Sequence, residues 1–579
     1  METKDQEYDV IIIGAGWYGL VAARTYLRLR PEAKVLVTDS DNTVGGVWSS
    51  DRLYPNLVAQ VKLGLFNYTD TPMPSHGKTQ KNLVTGNMIH DYLQKYAEDH
   101  DLLRRVRFNS HVERAERYNG GWRLHLRNSK DVLDTKKLMV ATGVTSIPSL
   151  PSFEAEDISI PILHSRDLGS SSDKLQDPHV QHVVVLGAAK SAYDAVYLLL
   201  SMGKKVTWII RPDGAGPLAI LPTEVFGLFN VIAVASTRLM TFLSPSIFNT
   251  TGPGYGFFQK TVIGRWCTSK FWDTLTYLSN RHAGYFKGDH ISALLPEIEE
   301  KSIFYANSGL GVVTLPDYWS TLHAGDLSVV RDHLTKIKGH DLILRSGTSI
   351  KADTAVMCTG WGDHFAMFDP ATKLELGLPA YNMETEATDI SKEMLWKKWD
   401  AEAMKSVDAK LPFLAKTPDL KNPKVVSHGV PKRWRLYRRV VPLDLAMKSD
   451  RSLAILGQIH TVQTPLVSEM QSFWAILYLL GELDLPDYDT MAKEVAEWNV
   501  WTAKRYLSQG QKHPYSLYDF LPYVDTLCKD LGINSRRKGS FYGEIFSPYK
   551  PEDFNGFIDE YLEKQGKAKP AALKANGLH

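Results

Sequence analysis

Short apolar runs alternate with glycine-rich breaks along this chain, and the alternation marks out its elements. Residues Asp9 to Ile13 are a nearly unbroken apolar run, interrupted by Gly14-Ala15-Gly16-Trp17-Tyr18-Gly19. Leu20, Ala23 and Leu27 follow at helical spacing, with Pro31 beyond them. Val35-Leu36-Val37 is a second apolar run, closed by Thr38-Asp39. Runs this short predict buried strands, and the 3.6-residue recurrence predicts a helix between them. Strand, glycine turn, helix, strand and acid is the order a βαβ unit needs to hold a dinucleotide. Gly14 permits the tight turn, Gly16 lets the backbone approach a pyrophosphate, and Gly19 lets helix and strand pack closely. The free N–H groups of the helix start favour phosphate, and Asp39, about twenty residues on, can accept from ribose hydroxyls.

The same order recurs further on. His182-Val183-Val184-Val185-Leu186 predicts a strand, Gly187-Ala188-Ala189-Lys190-Ser191-Ala192 a turn, and Tyr193 to Leu200 a helix that ends at Gly203. Val206-Thr207-Trp208-Ile209-Ile210 is the next strand. Ala189 and Ala192 stand where the strict motif has glycine, and Ala189 is expected to push a pyrophosphate slightly outward. No acid closes this second unit. Arg211 stands there instead, with Lys190, Lys204 and Lys205 as possible helpers, and a guanidinium can pair with a 2′-phosphate that a carboxylate would repel. The second site is therefore expected to take NADPH rather than NADH.

Elsewhere the pattern is less regular. Asn87 to Ala97 predicts an amphipathic helix through Met88, Tyr92 and Tyr96, and Val106 to Leu126 alternates as strands do. Residues 212–315 carry long apolar stretches interrupted by Glu224 and Arg238 and broken by Pro222 and Pro245. They lack the roughly twenty uninterrupted apolar residues of a spanning helix. A mostly helical insert packed on the second unit is expected, the sharper alternative being a lid or channel lining for a hydrophobic substrate, with peripheral membrane contact through 218–248. Ala355-Val356-Met357-Cys358 is again a strand, and residues 380–431 are polar enough to suggest solvated helices or a long loop. Leu453 to His460 predicts a strand and a Gly457-Gln458 turn, with a helix from near Glu469 and further Tyr- and Trp-rich helices over 490–565.

Composition narrows the picture only a little. At 579 residues the chain exceeds one hydrophobic core, so two or more domains are expected. A net charge of +2 makes no electrostatic case for nucleic acid. The polar first residues lead straight into a strand, and Cys267, Cys358 and Cys528 lie far apart, with no CxxC pair. A reducing, cytoplasmic home is the expectation. No cluster at metal-ligand spacing appears, so no metal is expected.

Several motifs resemble one family. Gly45-Gly46-Val47-Trp48, then Tyr54-Pro55-Asn56-Leu57, Phe66-Asn67-Tyr68-Thr69-Asp70-Thr71-Pro72, Ala141-Thr142-Gly143, Thr359-Gly360-Trp361 and Glu469-Met470-Gln471-Ser472-Phe473-Trp474-Ala475 together resemble the flavin-containing monooxygenases, a class that includes Baeyer–Villiger enzymes. The family's inter-domain fingerprint survives here only as His164, with Ile158, Ile160 and Leu168 in place of its other residues. The resemblance implies an α/β fold of two Rossmann-type dinucleotide-binding domains, one for FAD and one for NADPH, with a mostly helical insert. It divides the chain into 1–165 (FAD domain, first part), 166–350 (NADPH domain, insert about 212–315) and 351–565 (FAD domain, second part). Gln60, followed by Val61, stands where the family has an asparagine that contacts flavin and nicotinamide, which makes Gln60 the candidate catalytic residue. Val47, Trp48, Val61, the backbone near Val112, the Ala141-Thr142-Gly143 crossover, Gly457 and Gln471 are implied cofactor contacts. By resemblance NADPH reduces FAD, reduced FAD adds dioxygen at C4a, and the (hydro)peroxide transfers one oxygen atom to a small organic substrate. An amine or sulfide would be oxygenated on nitrogen or sulfur, and a ketone by Baeyer–Villiger insertion. Arg166 is a candidate cation for the latter, although an exposed linker arginine is the simpler reading. An NADPH oxidase or flavin reductase, or a flavin-binding protein without turnover, are the alternatives.

Overall fold

One mixed and one all-parallel sheet carry the chain, and each is built around one of the two glycine turns. A computed structural model describes residues 7–296, 302–379, 390–419, 434–512 and 514–567. In the first sheet, strand Glu7–Ile13 lies between Val35–Thr38 and Val132–Val140, parallel to both. Strand Val106–Arg107 extends one edge, and Leu453–Ile455 joins Val132–Val140 in parallel. Strands Val112–Tyr118 and Gly121–Leu126 form an antiparallel meander on Val132–Val140. Val10, Ile11 and Ile12 are fully buried. A central parallel strand is covered on both faces, which is why its sequence is an unbroken run and not an alternation.

The second sheet is all parallel, in the order Ile162–His164, Thr354–Met357, His182–Leu186, Lys205–Ile209, Leu327–Val330. Two of its strands lie next to the expected boundaries. Ile162–His164 and Thr354–Met357 pair within this sheet, so the chain has already crossed over before 165 and returns only after 357. The two crossings run side by side, with Pro148 bridged to Trp361.

The segment 212–315 is mostly helical, with helices Val231–Ala235, Arg238–Leu243 and Val262–Ala283 between short strands. It does not pack on the second unit alone. Ile232, Met240, Leu243 and Trp272 share a core with the first unit and the C-terminal helices, whereas Leu218, Ile220, Ala283 and Tyr285 join the core of the second. Arg238, read in the sequence as an interruption, is buried and ion-paired with Asp525 and Glu544 of the C-terminal region. A buried guanidinium is tolerable only when paired in this way.

Two further expectations change. Of the polar stretch 380–431, residues 380–389 and 420–431 lie outside the described residues. Helix Ile390–Lys410 buries Trp396, Trp399, Ala403 and Val407, and it packs on helix Tyr488–Lys512. The helix expected from Glu469 begins at Thr464 with Pro465 in its first turn. Proline is well placed there because a first-turn residue has no N–H partner in the helix.

Candidate functional site

The two glycine turns have the same geometry. Gly14 (φ +110) and Gly187 (φ +136) both adopt a backbone open to glycine, and each lies against the end of a neighbouring parallel strand. A Cβ on Gly14 would fall 2.4 Å from the Ala141 carbonyl oxygen, and one on Gly187 would fall 2.2 Å from that of Cys358. Gly19 is equally constrained, since its Cβ would meet the Gly14 carbonyl oxygen at 1.8 Å. At its counterpart Ala192 a methyl group is accommodated, fully buried. The helices that follow, Trp17–Leu29 and Lys190–Ser201, start at Gly16 and Ala189 with no side-chain cap. Their first N–H groups therefore point outward as an anion site.

Asp39 closes the first turn. Its carboxylate is buried and accepts from Ala15 N–H (2.6 Å) and Asp41 N–H (2.9 Å), which leaves lone pairs on both oxygens for ribose hydroxyls. Burial raises its pKa while those two backbone donors pull it down. The Gly45–Gly46 turn faces Gly16, whose Cβ position is 3.6 Å from Gly46 Cα. Val47 is exposed there, and Trp48 is half-buried with its carbonyl 3.0 Å from His90 Nδ1. Val112 is buried near this end of the sheet, because Ser110 N–H and Asn109 N–H donate to the Asp39 and Asp41 carbonyls. Thr142 Oγ1 is 3.5 Å from the His364 carbonyl oxygen, and Gly143 has φ +69.

Gly457 packs onto the turn from the other side, with its Cβ position 3.1 Å from the Tyr18 ring. The Gln471 carboxamide holds it there, accepting from Gly457 N–H (2.8 Å) and donating to the Tyr523 hydroxyl (2.7 Å). Both ends of Gln471 are engaged inside the protein, and it positions the turn. Sequence reasoning passed over the neighbouring Gln458. Among the described residues both of its amide atoms are buried without a partner, as are Trp17 Nε1, Tyr18 Oη and Thr38 Oγ1. Buried polar atoms cost free energy unless they are satisfied. Orphans gathered on the three segments that form this cradle fit a polar cofactor lying there.

The chain can now be set beside known proteins. It is 40% identical over 564 residues to an FAD-dependent monooxygenase, DEP4, of Alternaria brassicicola, which spans 96% of this chain and 95% of that protein. This chain belongs to the class B flavin-containing monooxygenases. The family described as pyridine nucleotide-disulphide oxidoreductase matches residues 11–218. The fold is that of an open crystal structure of cyclohexanone monooxygenase, at TM-score 0.58 and 14% identity over 90% of this chain and 97% of the other. A cyclohexanone monooxygenase from Rhodococcus sp. Phi1, solved bound to NADP⁺, gives 0.57 at 13% identity over 91% and 98%. In this monooxygenase Cys267, Cys358 and Cys528 are all free.

Within the monooxygenase, Gln60 lies on strand Val58–Lys62, beside buried Val61, and reaches across to the insert, where its Oε1 accepts from Val312 N–H at 2.5 Å. Lys190 comes to the same place. A Cβ on Gly311 would be 3.3 Å from Lys190 Cδ and 3.7 Å from Gln60 Oε1. The Lys190 ammonium pairs with Asp194, one turn along its helix. Ser191 follows in the first turn of that helix. Arg211 lies beyond strand Lys205–Ile209 with 54% of its side chain exposed, and its nearest anion is Asp213 at 4.0 Å.

Lys204 and Lys205 are not its helpers. Lys204 is buried and donates to the Asp177 carbonyl, and Lys205 opens the strand that Arg211 follows. Six residues of near-extended chain put up to about 20 Å between them. His164 proves structural: buried at a strand end, it joins the crossings through Nε2 to the Gly360 carbonyl (3.1 Å) and an edge contact with Trp361. Arg166 is no idle linker residue. It donates to Asp41 (2.7 Å), which also pairs with Arg52 (3.0 Å), and so it ties the second unit to the acid-bearing loop of the first. Among the described residues no group of three His, Cys, Asp or Glu could hold a metal ion.

Proposed function

We propose that the monooxygenase holds FAD on the Gly14–Gly19 turn and NADPH on the Gly187–Ala192 turn, and inserts one atom of dioxygen into a small organic substrate. One observation carries this reading: the same cradle occurs twice in one chain, each with a first glycine pressed on a strand end and an uncapped helix behind it. Both units are then Rossmann-type dinucleotide-binding domains. The flavin domain covers residues up to the first crossing and beyond the second, and the nicotinamide domain with its insert lies between. Asp39 against Arg211 sets the difference, since the acid suits a free ribose and the exposed guanidinium suits a 2′-phosphate. The NADP⁺ found with the Rhodococcus enzyme supports the assignment.

Bound flavin supplies the redox and oxygen chemistry. The chain's own residues bind, orient and exclude water. Asp39 and the first helix fix the adenosine diphosphate end, with Val47, Trp48 and Val112 beside it and Ala141, Thr142 and Gly143 under the turn. The Gly457 turn, clamped by Gln471, closes over Tyr18. Val312 N–H fixes the Gln60 carboxamide by its oxygen, so its Nε2 hydrogens are the donors this residue would offer the bound cofactor. Lys190 approaches that point from the nicotinamide side. Among the described residues no helix is long and apolar enough to cross a membrane. Three free thiols suit a reducing cytoplasm, and peripheral contact through 218–248 rests on exposed Phe226, Leu228 and Phe229. The test is anaerobic titration of the purified yellow protein. NADPH should bleach the flavin stoichiometrically at a far lower concentration than NADH. Equal potency of the two, or no bleaching, would reject the second-site assignment.

A further inference from the structure

His460 lies five residues past strand Leu453–Ile455, beyond the Gly457 turn that packs on Tyr18. Its ring stacks on Tyr515, with centroids 4.8 Å apart and planes 8° from parallel. The two backbones are also joined, His460 N–H donating to the Pro514 carbonyl and Ser516 N–H to that of His460. The imidazole is held from one face and from its main chain, in a single orientation. Among the described residues no side chain or carbonyl bonds to either ring nitrogen.

The ring combines two properties that rarely go together. It is exposed, yet the surrounding protein pulls its pKa down to about 4 by desolvation. A surface histidine would keep its ordinary value. The ring is open to solvent with its nitrogens unbonded, and the contacts of Tyr515 say which part of the protein it borders. The Tyr515 hydroxyl accepts from Leu310 N–H at 3.3 Å, and Leu310 begins the strand whose Val312 N–H holds Gln60 and whose Gly311 lies against Lys190. His460, Tyr515, Leu310 and Gln60 thus form one connected wall, reaching from the C-terminal helices to the candidate catalytic amide.

We propose that His460 is a substrate-recognition residue on this wall, giving one imidazole nitrogen to a neutral oxygen, hydroxyl or carbonyl, of an otherwise apolar organic substrate. The inference rests on the monooxygenase reading above and adds the chemistry of what is bound. A neutral imidazole offers one donor and one acceptor, and Lys190, beside Gly311, is paired with Asp194. The site therefore provides a hydrogen bond without a charge, which selects against carboxylates and phosphates. Tyr515 and Leu310 supply the apolar surface for the rest of the molecule.

The test uses the FAD-loaded enzyme and two probes with the same carbon skeleton, 4-phenylbutan-2-one, which carries the oxygen, and butylbenzene, which does not. Binding is read from the perturbation of the flavin absorbance in the oxidised state. The ketone should bind wild type more tightly than the hydrocarbon. His460→Phe should remove that preference, weakening the ketone about tenfold while leaving butylbenzene within about threefold. His460→Gln, which keeps a donor and an acceptor, should restore most of the preference. Flavin content and bleaching by NADPH are measured on the same samples, so loss of either would point to a failure of the cofactor assignment instead. An unchanged ketone-to-hydrocarbon ratio in His460→Phe, or no response of wild type to either probe, would overturn the proposal.

Discussion

Gly16 separates the cofactor site from the fold more cleanly than any other residue of the first turn. A side chain on Gly14 or Gly19 would strike backbone at 2.4 Å or 1.8 Å, so substitution there damages the protein itself. A Cβ on Gly16 finds the Gly46 Cα at 3.6 Å and the Gly45 carbonyl oxygen at 3.7 Å, which is ordinary contact. Gly16 has φ −90, a value open to any residue. Gly16→Ala should therefore fold with a cost below about 1 kcal/mol, as at a compatible backbone position. The γ-carbons of Gly16→Val reach about 1.5 Å further, into the space before the helix N-terminus. Each charge-assisted bond lost between a backbone N–H and phosphate is worth about 1.5–3 kcal/mol. Two of them weaken FAD by roughly a hundredfold to ten-thousandfold. The assay is the flavin-to-protein absorbance ratio after purification, with thermal unfolding of the apoprotein alongside. Gly16→Ala should stay folded with weakened FAD, Gly16→Val should be colourless but folded, and Gly19→Val should lose both. A yellow Gly16→Val protein would refute the placement of the pyrophosphate, and unfolding of Gly16→Val as severe as that of Gly19→Val would refute the separation of site from fold.

Two further outcomes follow from other parts of the structure. Arg211→Ala should raise the NADPH concentration needed for flavin bleaching about ten- to a hundredfold and leave NADH within about twofold, read by anaerobic titration; an equal loss for both would mean the guanidinium does not meet a 2′-phosphate. Glu469 is buried between helices, accepts from Thr69 N–H and Oγ1–H, and has its pKa raised to about 8, by burial first and by Asp70 second. The folded state then binds a proton that the unfolded state releases near its ordinary value of 4.5, so this group makes stability fall as pH rises from about 4.5 to about 8, by up to about 1.4 kcal/mol per pH unit. In Glu469→Gln the unfolding midpoint should depend less on pH across that window, and a slope equal to that of wild type would show that Glu469 does not titrate there.

The sequence disclosed the two cradles because backbone geometry is written in residue type. Gly14, Gly19 and Gly187 occupy positions where any Cβ meets a carbonyl oxygen, and such constraints can be read in one dimension. Side-chain destinations could not be read in the same way. Lys204 and Lys205 stand close to Arg211 in sequence, but the intervening strand carries them to its opposite end. Trp396, Trp399, Ala403 and Val407 hide a buried face in a helix whose other residues are mostly charged. Arg238 broke an apolar pattern because it meets acids 287 and 306 residues away, and no local signal announces such partners. Gln60 stood out by resemblance alone, and the residue that orients it is a backbone N–H of the insert. His460 carried no signal beyond its place after a glycine turn. Its importance comes from Tyr515, which reaches it only through tertiary folding.

The most direct measurement is rapid mixing of the anaerobically NADPH-reduced protein with oxygenated buffer, following the flavin spectrum from milliseconds onward. Two dinucleotide sites serving one oxygen-transfer reaction predict complete bleaching by NADPH, then a transient band unlike either oxidised or reduced flavin before the oxidised spectrum returns. Failure of NADPH to bleach the flavin, or direct return to the oxidised spectrum with stoichiometric hydrogen peroxide whether or not substrate is present, would contradict it.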